Sequence, residues 1–179
     1  MELWFDRAMK TDGNDYAACL TKLDWLDPKW HGDKTGAEML AFGQACRATR
    51  NSLGGLTLLA AEAHWRYANY FEPEERTAYL RKPEVWSEVK TVFDEYLQSH
   101  QLDYATRSKY AAICYFGAHF AEAHAQFQTL GDFLTVWPHY PNLPLESLKE
   151  LRDDAARIVA RRAGGAGAPG QDRWSPPKP

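Results

Sequence analysis

The sequence has little net charge and no long apolar run. Its 21 lysine and arginine residues are nearly balanced by 24 aspartate and glutamate residues, which gives a formal net charge of −3. Because nucleic-acid-binding domains usually carry a basic surplus, this balance predicts no nucleic-acid partner. No stretch reaches the roughly 18 apolar residues that a membrane-spanning helix needs, and residues 1–7 lack the basic start and apolar run of a signal peptide. We therefore expect no membrane partner.

Cysteine is also scarce. The three cysteines, Cys19, Cys46 and Cys114, are odd in number and far apart. This spacing fits neither a disulfide framework nor a cysteine-rich zinc site. Each cysteine falls within a helical apolar pattern, where a thiol behaves as a small apolar side chain. The sequence therefore predicts a protein of the reducing cytoplasm, with no metal and no cofactor.

Local motifs of common enzymes are missing from the sequence. No serine or cysteine stands on a tight turn typical of a catalytic nucleophile, and Gly54-Gly55 lacks the lysine of a phosphate-binding loop. His119 and His124 are five positions apart, whereas two ligands on one helical face are four apart. We thus predict no catalytic residue. An enzyme would need a histidine and a carboxylate that distant helices bring together.

Aromatic residues, by contrast, are abundant: seven Trp, nine Tyr and eight Phe make up 13% of the chain. No alternation of apolar and polar residues is long enough for a strand, and apolar residues recur at helical spacing. The pattern predicts an all-α domain over residues 1–163. From Gly164 onward, glycine, alanine and proline dominate, which predicts a disordered tail over residues 164–179.

Turn residues divide the domain into about seven or eight helices. The predicted spans are about 3–10, 16–26, 36–49, 56–71, 83–99, 104–116, 121–130 and 145–162, with Glu72–Lys82 as a connector. Thr35, followed three residues later by Glu38, has the spacing of a capping box. Gly43 costs about 1 kcal/mol relative to alanine inside a helix, so we expect another helix to approach it closely.

The fourth predicted helix has apolar residues on two opposite faces, represented by Leu59 and Trp65. Such a helix should be packed on both sides. Its one polar stripe consists of Glu62, Arg66 and Asn69. Glu62 and Arg66 have the spacing of an intrahelical ion pair.

Short helices paired in sequence are typical of stacked helical repeats. In the segment Arg107–Asp132, large and small residues follow a pattern that resembles the tetratricopeptide repeat (TPR). The residues concerned are Tyr110, Ala111, Cys114, Ala118, Phe120, Ala123, Phe127 and Leu130. The segment Phe5–Asn14 is similar to the second helix of such a repeat, with Gly13 in place of the usual proline.

Four stretches together resemble an uncharacterised bacterial family with a TPR-like fold. They are Pro28–Gly32, Glu38–Gly43, Arg81–Trp86 and Ala123–Phe127, and the resemblance covers about residues 1–132. It implies a TPR-like α-solenoid of antiparallel helices and a bacterial origin. It implies no activity, because the function of that family is unknown. The last predicted helix has one apolar and one charged face, which is typical of a C-terminal capping helix.

In TPR-like folds the first helix of each pair lines the concave surface. By resemblance, this surface presents Glu62, Arg66 and Asn69 from the fourth helix and Ser108, Tyr115 and Phe116 from the sixth. A mixed polar and aromatic floor suits a peptide or protein segment. We therefore predict a non-catalytic scaffold or adaptor that binds a protein partner in this groove.

Two other functions stay open. The resemblance implies that Trp4, Phe5 and Met9 lack their usual packing partner, so the N-terminal helix could mediate self-association of a structural subunit. The second alternative is a hydrolase-type enzyme with a His/carboxylate site assembled from distant helices.

Overall fold

A computed structural model describes residues 2–136 and 143–164. Over these residues the chain forms nine α-helices and no strand, which confirms the prediction of an all-α fold. The helices are α1 (Glu2–Thr11), α2 (Tyr16–Trp25), α3 (Ala37–Ala48), α4 (Leu58–Ala68), α5 (Pro73–Leu80), α6 (Pro83–Ser99), α7 (Tyr104–Phe116), α8 (Phe120–Leu130) and α9 (Leu145–Gly164). Apart from Gly164, the predicted tail lies outside the described residues.

The predicted connector Glu72–Lys82 contains helix α5, so that prediction is wrong. Proline stands at the first position of α5 and is followed by Glu74 and Glu75. Proline is pre-set for a first helical position, and acidic residues there interact favourably with the helix dipole. The same signal, Pro83 followed by Glu84, correctly marks the start of α6. The signal for α5 was therefore present in the sequence.

The chain divides into two compact units. Unit 1 comprises Met1–Tyr70 and Pro83–His100, and unit 2 comprises Phe71–Lys82 and Gln101–Pro179. Unit 1 thus holds α1 to α4 and α6, and unit 2 holds α5 and α7 to α9. The single TPR-like domain over residues 1–163 and its solenoid arrangement stay predictions.

Helix α4 is the interior helix of unit 1. It packs against α2, α3 and α6, and eight of its eleven residues are buried, which confirms that it is packed on both sides. Gly43 of α3 allows the close approach that the sequence predicts. A Cβ atom at this position would lie 2.9 Å from the Cβ atom of Ala63 and 3.1 Å from the Cα atom of Ala60.

The start of α3 is capped differently from the prediction. The N-cap residue is Gly36, with φ of 71° and no side-chain cap, so the capping box predicted at Thr35 is wrong. Instead, the Asp33 carboxylate accepts hydrogen bonds from the N–H groups of Thr35 at 2.8 Å and Glu38 at 2.7 Å. Hydrogen bonds from the Thr35 hydroxyl and these backbone groups lower the pKa of Asp33 to about 2.

In unit 2, helix α7 packs against α5, α8 and α9, and α8 also packs against α9. Ala111 and Ala123, two small positions of the repeat pattern, are both completely buried. Along residues 2–136 and 143–164, no helix combines the length and apolar character that crossing a bilayer requires.

Candidate functional site

The predicted site residues Glu62, Arg66 and Asn69 lie in unit 1, and of these three Asn69, directly after α4, is exposed. The side chains of Glu62 and Arg66 are only 6% and 10% exposed. Arg66 Nε donates to Glu62 Oε1 at 2.6 Å, which confirms the ion pair predicted from their spacing. The Arg66 guanidinium also pairs with the carboxylate of Asp24 at the end of α2. This chain of charges fixes Arg66 between α4 and α2.

The predicted residues Ser108, Tyr115 and Phe116 lie in unit 2, and all three are buried. Ser108 Oγ accepts a hydrogen bond from the N–H group of Thr135 at 3.1 Å. The Tyr115 hydroxyl donates to Asp154 Oδ2 of α9 at 2.5 Å. The Phe116 ring packs edge-on against Tyr115, with their centroids 5.8 Å apart. These contacts hold unit 2 together, and a role of the three side chains in partner binding stays a prediction.

Unit 1 carries exposed aromatic side chains near the C-terminal ends of α2 and α4. Trp30 is 64% exposed, Tyr70 48% and Trp25 36%. Together with His31 they form what we call the aromatic surface. Trp25 is the last residue of α2, Trp30 and His31 lie between α2 and α3, and Tyr70 directly follows Asn69 after the end of α4.

Side-chain contacts hold the aromatic surface in place. The Trp25 and His31 rings are stacked, with their centroids 3.6 Å apart. The Tyr70 hydroxyl donates to Asp27 Oδ1 and accepts a hydrogen bond from the N–H group of Lys29 at 3.1 Å. Burial and the hydrogen bond to Asp27 raise the pKa of Tyr70 to about 12.

The backbone of the same segment is equally constrained. Asp27 accepts backbone hydrogen bonds from Trp30 at 2.8 Å and from Gly32 at 3.2 Å. At Gly32 a Cβ atom would lie 1.8 Å from the carbonyl oxygen of Leu26, so this turn requires glycine. The loop that carries Trp30 and His31 is thus fixed by its own backbone.

Sequence reasoning did not assign the aromatic surface. Trp25, Trp30, His31 and Tyr70 are not among the predicted site residues. One signal was available: Trp30 lies in a polar segment between Pro28 and Gly36, with no apolar periodicity that would bury it. The contribution of Tyr70 had no such signal, because it depends on contacts across about 40 residues.

A second polar cluster in unit 1 surrounds the buried carboxylate of Glu88 on α6. Its Oε1 atom accepts from Arg47 Nη1 at 3.0 Å, and its Oε2 atom accepts from Gln44 Nε2 at 2.5 Å. His64 Nε2 lies 2.9 Å from the same Oε2 atom. Burial raises the pKa of Glu88, but the hydrogen bonds from His64 and Gln44 and the charge of Arg47 outweigh burial and bring the pKa below its usual value.

This cluster brings together a histidine and a carboxylate from α4 and α6, as the enzyme alternative requires. Both oxygens of Glu88 are already engaged, so the carboxylate serves as an acceptor that ties α3 and α4 to α6. Glu88 was missed by sequence reasoning, although it lies three residues after Val85 and next to Val89, on the apolar face of α6. A carboxylate at such a position needs buried partners.

In the part of the chain that the structure describes, no group of three His, Cys, Asp or Glu side chains is arranged to hold a metal ion.

Comparisons with protein-family models, with curated proteins and with solved structures found no match to this chain.

Proposed function

We propose that the protein is a non-catalytic binding module that holds a peptide or protein segment on the aromatic surface of unit 1. The observation that carries this proposal is the exposure of Trp25, Trp30 and Tyr70 around a turn whose backbone is held by hydrogen bonds to Asp27. Tryptophan and tyrosine dominate the binding energy of protein interfaces, because they bury a large area and lose few rotational degrees of freedom.

The rigidity of the segment supports the same proposal. A flexible loop loses conformational entropy when it binds, and that loss reduces affinity. Here the Trp25–His31 stack, the Tyr70–Asp27 hydrogen bond and the turn at Gly32 hold the loop before any partner arrives. The aromatic surface can therefore bind a partner with little change in its own conformation.

The rim of the surface indicates the chemistry of the partner. Asn69 is exposed, and the Asp24 side chain is 49% exposed beside its Arg66 partner. Polar groups of this kind hydrogen bond to the backbone of a bound segment, while exposed rings take up apolar side chains. The proposed ligand is thus a protein segment that presents apolar side chains within a polar surround.

The wider function we propose is that of a cytoplasmic adaptor. Support for the compartment comes from the odd number of cysteines, all of which are buried free thiols. A reducing compartment preserves such thiols. The TPR-like arrangement of the helices belongs to the same proposal.

Affinity capture from a lysate of the source cells tests the proposal. The tagged full chain is compared with Trp30→Ala and with Leu53→Ala, which removes another apolar side chain that is 70% exposed in unit 1. We expect wild type and Leu53→Ala to retain the same stoichiometric partner and Trp30→Ala to retain at least tenfold less. Equal retention by all three proteins would exclude the aromatic surface as the binding site.

Self-association is a second candidate function, because Leu3 and Trp4 on α1 are 66% and 49% exposed. Sedimentation of the purified chain over a hundredfold range of concentration separates the two functions. A molar mass that equals the mass of one chain at every concentration supports the binding module. A mass that rises with concentration in wild type and not in Trp4→Ala would support the self-associating subunit instead.

A further inference from the structure

A cavity in unit 1 shares no residue with the aromatic surface. Its volume is about 590 Å³, which is within the range of about 300–1,000 Å³ that is typical of small-molecule sites. It is lined by residues of α3 and α6 and of the segment between α3 and α4, namely Gln44, Arg47, Ala48, Arg50, Thr57 and Glu95. Five of these six residues are polar or charged. The cavity therefore favours a polar ligand.

We propose that this cavity binds a small zwitterion, a molecule that carries both a carboxylate and an ammonium group, as free α-amino acids do. The charge of Arg47 is already balanced, because its Nη1 atom lies 3.0 Å from Glu88 Oε1. Arg50 and Glu95 are exposed, and neither side chain forms an ion pair with another residue that the structure describes. One positive and one negative group are thus available to a ligand.

The two available charges suit the two ends of such a ligand. The guanidinium of Arg50 can bind a carboxylate through two parallel N–H groups. The carboxylate of Glu95 can accept hydrogen bonds from an ammonium group. A simple anion would be attracted by Arg50 and repelled by Glu95, so the pair selects a ligand with both charges over one with a negative charge alone.

The buried carboxylate of Glu88 holds one side of the cavity in place. It accepts hydrogen bonds from Arg47 Nη1 at 3.0 Å and from Gln44 Nε2 at 2.5 Å. Both lining side chains are therefore fixed before a ligand arrives, which reduces the conformational entropy lost on binding. Because the amide nitrogen of Gln44 donates to Glu88, its Oε1 atom remains as a second acceptor for an ammonium group.

The hydroxyl of Thr57 is an independent sign of a missing ligand. Thr57 is only 2% exposed, and its Oγ1 atom has no hydrogen-bond partner among the described residues. Although Thr57 is the N-cap residue of α4, its side chain makes no capping hydrogen bond. A buried hydroxyl without a partner is destabilising. A polar ligand in the cavity that Thr57 lines would provide the missing partner.

The backbone of Arg50 supports a role in binding. Arg50 directly follows the C-cap residue of α3 and has a φ of 57°, in the left-handed region. Glycine is the usual residue at such a helix end, because other side chains are strained there. Strained residues cluster at functional sites. A role in ligand binding explains why an arginine occupies this position.

Isothermal titration calorimetry of the full chain tests the proposal, with the proteinogenic amino acids as probes. We expect at least one of them to bind with a Kd below about 1 mM. Its amide lacks the carboxylate, and its deaminated acid lacks the ammonium group. Each of these two probes should bind at least tenfold more weakly than the amino acid. Inorganic phosphate should not displace the amino acid.

Variants of the lining residues test the site itself. Arg50→Gly and Glu95→Gln should each bind the amino acid at least tenfold more weakly, and Thr57→Val, which removes the hydroxyl, at least threefold more weakly. The control Arg7→Gln, at an exposed position of α1, should bind it as wild type does. Arg50→Gly keeps the proposal testable, because glycine relieves the left-handed strain. This variant should melt at the same temperature as wild type or higher.

Three results would overturn the proposal. The first is that no amino acid binds to wild type. The second is that the deaminated acid or phosphate binds as tightly as the amino acid, which would indicate a site for simple anions. The third is that folded Arg50→Gly or folded Thr57→Val keeps the affinity of wild type, which would place the ligand elsewhere on the protein.

Discussion

His64 Nε2 lies 2.9 Å from Glu88 Oε2, and the two side chains are buried between α4 and α6. The same carboxylate accepts from Gln44 and Arg47 of α3. One carboxylate thus satisfies polar groups from two other helices of unit 1. Removing its charge would leave those groups without an adequate acceptor.

Replacing Glu88 by glutamine tests this arrangement. The charge is lost while the shape stays, and hydrogen bonds to a charged group contribute more than neutral ones. We expect Glu88→Gln to lower the free energy of unfolding by about 2 kcal/mol in urea denaturation at pH 7. The control Glu95→Gln, on an exposed position of the same helix, should change it by less than about 0.5 kcal/mol. Equal effects of the two variants would contradict the structure.

The stability difference between wild type and Glu88→Gln should also depend on pH. The folded-state pKa of Glu88 lies below its usual value, so the unfolded chain takes up the proton first as the pH falls. The contribution of Glu88 is therefore complete above the unfolded pKa of about 4.3 and disappears as the pH falls through the folded value. Urea denaturation between pH 7 and pH 3 should show the difference shrinking. A difference that stays constant over this range would be inconsistent with the lowered pKa.

The carboxylate of Asp33 should titrate well below the usual aspartate value. Hydrogen bonds from Thr35 and from the first N–H groups of α3 favour its charged form and lower its pKa to about 2. Carboxyl carbon shifts in a carbon-detected NMR titration should give this midpoint. Because the folded-state pKa lies below the unfolded value, protonation of Asp33 destabilises the folded chain. The contribution of the Asp33 carboxylate to stability is complete above about pH 4 and is lost as the pH falls through about 2. In Thr35→Val the Asp33 midpoint should move up, and a wild-type midpoint near 4 would refute the cap.

The turn that carries Trp30 and His31 should require glycine at position 32. An alanine Cβ atom would lie 1.8 Å from the carbonyl oxygen of Leu26, and a backbone atom cannot move away by changing rotamer. We expect Gly32→Ala to displace His31 and break its stack on Trp25. The ring protons of His31 should then lose the shielding by the indole that NMR detects in wild type.

The matched control for Gly32→Ala is Gly13→Ala. A Cβ atom at Gly13 would lie 3.8 Å from the carbonyl oxygen of Met9, which is an ordinary van der Waals distance. This variant should leave the His31 shifts unchanged and the protein fully folded. If Gly32→Ala also preserved those shifts, the turn would not be fixed as the structure shows.

The hydrogen bond between Tyr115 and Asp154 should stabilise unit 2. Its hydroxyl donates to Asp154 Oδ2 at 2.5 Å, and a hydrogen bond to a charged group contributes about 1.5–3 kcal/mol. We expect Tyr115→Phe to lower the free energy of unfolding by about 2 kcal/mol. In a double-mutant cycle with Asp154→Asn, the coupling energy should exceed about 1 kcal/mol. Additive effects would mean that the two side chains do not interact.

The fold was largely predictable, because most helices depend on local signals. Apolar spacing and flanking glycine or proline residues located eight of the nine helices of the described residues. Helix α5 was missed because it has few apolar residues, although Pro73 marks its start. The Glu62–Arg66 pair was found for the same local reason, since its members are four residues apart on one helix.

The candidate site was less predictable, because it depends on contacts between distant segments. The burial of Ser108 and Tyr115 depends on partners 27 and 39 residues away. The Glu88 cluster joins α3, α4 and α6, and Tyr70 joins the aromatic surface through Asp27, 43 residues earlier. Helical periodicity shows which face of a helix is apolar, but it does not show which segment covers that face.

The most direct test of the proposed function is photo-crosslinking from within the aromatic surface. A benzophenone amino acid replaces Trp30 in the full chain, and in the control it replaces Leu53, which is equally accessible in unit 1. Irradiation in the source cells should yield a discrete adduct with one partner protein from position 30 and not from position 53. The same adducts from both positions, or none from position 30, would contradict a binding module built on the aromatic surface.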